Sequence, residues 1–228
     1  MRACLFLWRA MSVALGLGGG WHSAAMAEGA LAQLYAAKPP AGTAFVRVVN
    51  PHASALRVKI ATGSEQTLIG DKIASTYAIV KGGTTFTISI DGKPAAAMQM
   101  KPDTFTTLVP QLEGKSVRFV PIDDSGNSTD ALKAELRFYN LAKNCVSGSL
   151  QVAPSGPKLF DSVALQGVAS RAINPVSAQV AGLCGGATSK PVALPTLQPG
   201  DHYSVFLTGS DGALDLRGQI SATETYKP

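Results

Sequence analysis

Three histidines, three cysteines and two arginines set inside apolar runs are the side chains of this 228-residue chain best suited to chemistry. His52 follows Asn50-Pro51 in a turn and His202 opens an apolar run, so either imidazole could act as base to a distant Ser or Thr. The nucleophile such a base would need has no recognisable form here, because no serine stands in a G-x-S-x-G string. Ser125-Gly126-Asn127 lies in a polar stretch without a nearby histidine and reads as a solvated turn. Cys184-Gly185-Gly186-Ala187-Thr188-Ser189-Lys190 invites comparison with a phosphate loop. It lacks the Gly-Lys-Ser/Thr ending and the following helix, so it reads as a flexible loop. No catalytic residue, cofactor or metal is assigned.

The cysteines depend on where the chain matures. Arg2 and Arg9 form a positive N-terminal region, Met11 to Leu17 is an apolar stretch, and Ala25-Met26-Ala27 has the A-x-A form of a cleavage site, which predicts a secretory signal peptide over residues 1–27. The alternative, a membrane anchor, requires about 20 apolar residues, and Gly18-Gly19-Gly20 and His22 break the run first. Cys4 precedes the apolar stretch and leaves with it. In an exported chain the remaining pair, Cys145 and Cys184, is most simply a disulfide, and His52 and His202 lie too far away in sequence to complete a metal site.

Removal of the leader also removes Trp8 and Trp21, the only tryptophans. The mature chain carries a weak positive balance. It sits in the first part, with 10 basic and 6 acidic residues up to Ile122 against 8 basic and 9 acidic beyond it. That excess is too small to suggest nucleic acid. Any electrostatic partner surface is expected in the first part.

The elements that must position these residues follow a period of two. In Leu56-Arg57-Val58-Lys59-Ile60 the apolar residues face one way, and Arg57 and Lys59 the other. Thr85–Ile90 runs into Asp91-Gly92, a type I′ hairpin signal, with a return strand over Ala95–Met100. Further strands fit Phe45–Val49, Phe105–Val109 and Val117–Val120. Helical periodicity is confined to a possible turn at Asp130–Lys133. The sequence also repeats: Ala44, Arg47 and Asn50 recur as Ala134, Arg137 and Asn140, ninety residues on, and Met100-Lys101-Pro102-Asp103 is echoed by Leu197-Gln198-Pro199-Gly200-Asp201. The expected architecture is all-β, two tandem Ig-like β-sandwich domains over 28–122 and 132–228 joined by a polar linker at 123–131. Recurrence at equivalent positions gives Arg47 and Arg137 an architectural role.

Leu34-Tyr35, Pro40, Gly42, Phe45-Val46-Arg47-Val48 and Asn50 resemble the mature N-terminus of the AlgF family of periplasmic alginate O-acetylation proteins. Arg171 to Val176, Pro191 to Leu194 and Leu207-Thr208-Gly209-Ser210 are similar to later stretches of that family, in the same order. The resemblance implies two β-sandwiches and a non-catalytic periplasmic adaptor in exopolysaccharide O-acetylation. Its implied partners are a membrane-bound acyltransferase and separate periplasmic acetyltransferases. Few aromatic side chains are left to form a sugar platform, which agrees with an adaptor. The competing readings are an acetyltransferase or esterase using His52 or His202, and a structural adhesin or chaperone-like sandwich. Candidate contact residues are Leu34 and Tyr35 in the N-terminal segment and the cationic pair Arg57 and Lys59, the latter facing an acidic polysaccharide or an acidic protein patch.

Overall fold

Alternating burial along short strands organises the molecule into four sheets. The computed structural model describes residues 39–114, 116–125, 132–210 and 212–226, and all of them fall in one compact unit. The expected leader, with Leu34 and Tyr35, lies outside the described residues. The first eight strands are β1 (Thr43–Val48), β2 (Leu56–Ile60), β3 (Gln66–Leu68), β4 (Ala78–Lys81), β5 (Phe86–Ile90), β6 (Lys93–Met98), β7 (Phe105–Glu113) and β8 (Ser116–Asp123). They form two sheets ordered β4-β1-β7-β8 and β3-β2-β5-β6. After residue 132 come β9 (Ala134–Asn140), β10 (Ser147–Val152), β11 (Lys158–Ala164), β12 (Gly167–Ile173), β13 (Gln179–Cys184), β14 (Ala187–Thr188), β15 (Val192–Ala193), β16 (His202–Ser210) and β17 (Ala213–Ile220). These form β12-β9-β16-β17 and β11-β10-β13-β14, with β15 also on β13. The described residues contain no helix.

The second set of strands repeats the first. β1 pairs β4 antiparallel and β7 parallel, as β9 pairs β12 antiparallel and β16 parallel. The two parallel pairs start alike. Phe45 N–H donates to Thr104 O and Glu135 N–H to Asp201 O, each at 2.8 Å. The repeated asparagines also do the same work: Asn50 Nδ2 donates to the carbonyls of Ser54 and Leu68, and Asn140 Nδ2 to those of Cys145 and Val163. Each side chain thereby ties the chain leaving its central strand to the facing sheet, satisfying carbonyls that are wholly or partly buried.

Leu56, Val58 and Ile60 turn inward and Arg57 and Lys59 outward, as the alternation predicts. Asp91 (φ 50°) and Gly92 (φ 76°) both take positive φ between β5 and β6, the backbone a type I′ turn requires. The return strand is Lys93–Met98, two residues earlier than the sequence suggests. Cys184 to Thr188 differs from the expected flexible loop. Gly185, at φ 57°, turns β13 directly into β14, a tight hairpin.

Every residue of β9 is buried, a pattern that needs packed layers on both faces. One face of β9, with Leu136 and Phe138, contributes to the core of its own sheet pair. Ala44, Val46 and Val48 of β1 do the same in theirs. The opposite faces meet each other: Val49, Ile73 and Val109 pack with Tyr139, Leu141 and Phe206 in a third cluster. Beyond β17 the chain crosses to the first half, where Tyr77 N–H donates to Ala222 O at 2.8 Å and Glu224 N–H to Tyr77 O at 2.9 Å. Of the expected linker, Asp123 ends β8, Asp124 is buried, and residues 126–131 lie outside the described residues.

Candidate functional site

Because β1 sends Val46 and Val48 into its own core, Arg47 between them must point at the other half. It is completely buried, and its guanidinium is shared out among hydroxyls. Nε donates to Thr107 Oγ1 at 2.8 Å and Nη1 to Ser221 Oγ at 2.9 Å, while Nη2 donates to Tyr139 Oη at 2.8 Å and Ser204 Oγ at 3.0 Å. Its Cζ also lies 4.6 Å from the centroid of the Tyr77 ring, a cation–π distance. The counter-charge is Asp124, which accepts from Tyr77 Oη at 2.7 Å, from Tyr139 Oη at 2.8 Å and from Thr107 Oγ1. Burial works against the charged guanidinium, yet Tyr139, Tyr77 and Asp124 more than offset it, so the Arg47 pKa lies above its ordinary value. Burial pushes both tyrosines up, keeping their hydroxyls protonated as donors.

Arg137, the repeat of Arg47, has a different neighbourhood. Its Nε donates to Glu135 Oε1 at 2.8 Å, two residues back on the same strand. Glu135 Oε2 lies 2.7 Å from His202 Nδ1, a pairing made possible by the parallel register that sets His202 opposite Glu135. The Glu135 side chain is 2% exposed and the imidazole 50%. Desolvation alone would raise the Glu135 pKa. The hydrogen bonds from His202 and Arg137 prevail and hold it below the usual carboxylate range.

A buried carboxylate orienting a half-exposed imidazole is two thirds of a hydrolytic triad. Among the described residues no hydroxyl hydrogen-bonds the His202 ring. Ser204, next on the same face of β16, shares its hydroxyl with Ser221 at 2.9 Å and accepts from Arg47. His52 lies elsewhere, at the far end of β1, lining a groove of about 840 Å³ with Leu112, Lys143 and Leu165. Burial, and after it Lys143, holds its imidazole below the ordinary pKa.

The sulfurs of Cys145 and Cys184 are joined, with Cα atoms 5.8 Å apart, bridging the loop after β9 to the end of β13. Arg57 and Lys59 are both exposed on β2, but Arg57 stands between Glu65 (3.9 Å) and Asp91 (3.5 Å). That surface is therefore of mixed sign rather than uniformly cationic. Among the described residues, no cluster of His, Cys, Asp and Glu could hold a metal ion, and no helix is long and apolar enough to cross a membrane.

The family model described as "Alginate O-acetyl transferase AlgF" matches residues 12–204. The chain belongs to the AlgF family. Alginate biosynthesis protein AlgF of Pseudomonas aeruginosa is 29% identical over 207 residues, covering 91% of this chain and 90% of that protein. The AlgF of Pseudomonas putida is also 29% identical, over 204 residues, covering 88% and 90%. A solved C-terminal domain of AlgF from P. aeruginosa is 27% identical and covers 39% of this chain and 98% of that domain, with a TM-score of 0.34. The resemblance carried by Phe45 to Asn50 and by the later strings is thus one of membership in a family of alginate biosynthesis proteins.

Within this AlgF chain, sequence reasoning found the two arginines but not the groups that define them. Asp124 looked like part of a polar linker. Tyr77, Glu135, Ser204 and Ser221 carried no motif. One signal was available: Glu135 interrupts an apolar strand two residues before Arg137, so both side chains share a face, and a charged residue there needs a partner.

Proposed function

We propose that the chain is a non-catalytic periplasmic adaptor for O-acetylation of alginate or a similar exopolysaccharide, linking a membrane-bound acyltransferase to periplasmic acetyltransferases. The observation that supports this most is the use made of the hydroxyls around Arg47. Tyr139, Ser204, Ser221 and Thr107 accept hydrogen bonds from the guanidinium buried between the two halves, and His202 has no hydroxyl partner among the described residues. A stiff body with two sandwiches suits a protein that must hold two partners at a set distance. Export follows from the leader, with cleavage after Ala27; intact-mass analysis of periplasmic protein checks it, and the mature chain then shows tyrosine emission only.

The competing reading, an acetyltransferase, draws on the Glu135–His202 pair. The two are separated by assaying the purified chain with a chromogenic acetyl ester and by placing the variant His202→Ala in cells. The adaptor has no ester turnover, and the variant acetylates alginate normally. Lost acetylation with an unchanged melting curve establishes the enzyme instead.

A further inference from the structure

At the end of the molecule where β1 and β9 finish, the chain leaves unusually large apolar side chains in solvent. Leu112, at the tip of the β7–β8 hairpin, is 65% exposed, and Leu165, in the β11–β12 turn, is 44% exposed. Both line the groove that holds His52. The β10–β11 register pairs Ser147 with Ala164, which sets Val146, 81% exposed, beside Leu165. Exposed aliphatic residues gathered at one groove mark a contact surface more often than scattered ones do.

Two polar features inside the groove specify what it takes. Lys143 makes no ion pair with any described residue, and no acidic side chain is among the described lining residues. The Nε2 of His52 is buried with no hydrogen-bond partner among the described residues, a cost that an occupant offering a polar group would relieve. A second molecule docking the same groove would bring lysine against lysine. A glycan finds no aromatic platform among the described lining residues.

We propose that this groove receives an extended segment of a partner acetylation protein, one that carries an aliphatic side chain next to a carboxylate. The aliphatic group seats between Leu112 and Leu165, the carboxylate meets Lys143, and a backbone group of the segment pairs with His52 Nε2. The proposal deepens the adaptor reading and rests on it.

The test measures binding of the purified mature chain to the soluble region of a periplasmic alginate acetyltransferase from the same organism. Leu112→Asp with Leu165→Asp should weaken binding about a hundredfold and Lys143→Glu about tenfold, with melting temperatures unchanged because all three side chains project from the core. A photo-crosslinker in place of Leu165 should capture a peptide of that enzyme containing Asp or Glu beside an aliphatic residue. If the unaltered chain binds none of the acetyltransferases, the adaptor reading fails and this proposal with it. If it binds them and the leucine and lysine variants bind equally well, the adaptor stands and the groove is eliminated. Crosslinking to a second copy of the chain, or saturable binding of alginate oligosaccharides that Lys143→Glu abolishes, assigns the groove to a different occupant and overturns the proposal.

Discussion

Arg47 and Arg137 stand at the same place in two copies of one strand, face the same junction, and are neutralised in opposite ways. Arg47 has no carboxylate in direct contact; its charge reaches Asp124 through Tyr77, Tyr139 and Thr107, and three of its four hydrogen-bond partners belong to the other half. Arg137 donates to a carboxylate directly, Glu135 on its own strand, and that carboxylate is anchored in turn by His202. The repeat therefore holds two buried cations, and Arg47 is the one whose hydrogen bonds reach Tyr139, Ser204 and Ser221 of the other half. The asymmetry shows that an equivalent position does not imply an equivalent energetic role.

The largest effect should separate the two arginines. Arg47→Ala leaves the buried Asp124 without its counter-charge and takes a donor from four hydroxyls, and should cost about 3–5 kcal/mol in denaturant unfolding. Arg137→Ala leaves Glu135 its histidine and should cost roughly 1–2 kcal/mol. Equal losses would break the comparison. A second difference between the halves is covalent. Denatured, non-reduced protein should yield no free thiol from Cys145 and Cys184. Replacing both by serine should lower stability by about 4 kcal/mol, from chain entropy at a separation of 39 residues.

A smaller effect should restore the symmetry. Asn50→Ala and Asn140→Ala each remove two hydrogen bonds to backbone carbonyls, all buried but that of Ser54, and should cost about 2 kcal/mol apiece. A cost at one position only would mean that the repeat has diverged there too. The smallest effect sharpens the local character of the Arg137 site. Glu135 has a folded-state pKa below its ordinary 4.5, so its contribution is present above that pH and lost as pH falls through the folded value. Stability measured from about pH 6 down to about pH 3 should therefore fall less steeply in Glu135→Gln than in the unaltered chain. Identical slopes would remove Glu135 from the account of acid sensitivity.

Much of the scaffold was legible without coordinates because its signals are local. The alternation of Leu56 to Ile60 states which face is inside, Asp91-Gly92 states where a hairpin turns, and the recurrence of Ala, Arg and Asn at a spacing of ninety aligns β1 with β9. Family membership was legible in the same strings. Neighbourhoods between distant segments were not. The period of two places Arg47 opposite Val46 and Val48 but cannot say what it meets, and one of its partners, Ser221, is 174 residues away. Asp124 has a loop residue's sequence context and a core residue's burial, since its burial depends on Tyr77, just before β4, and Tyr139 of β9 arriving from distant parts of the chain.

By itself, then, the sequence determined the strand pattern, the repeat of β1 in β9, the family and the all-β class, each of which depends on residues close together or on direct repetition. Tertiary structure alone decided which hydroxyls surround Arg47, that His202 rests on Glu135, and that Leu112, Lys143 and Leu165 share a groove with His52. These depend on where non-adjacent strands come to lie, and on the requirement that every buried charge find an opposite charge or a hydrogen bond within reach.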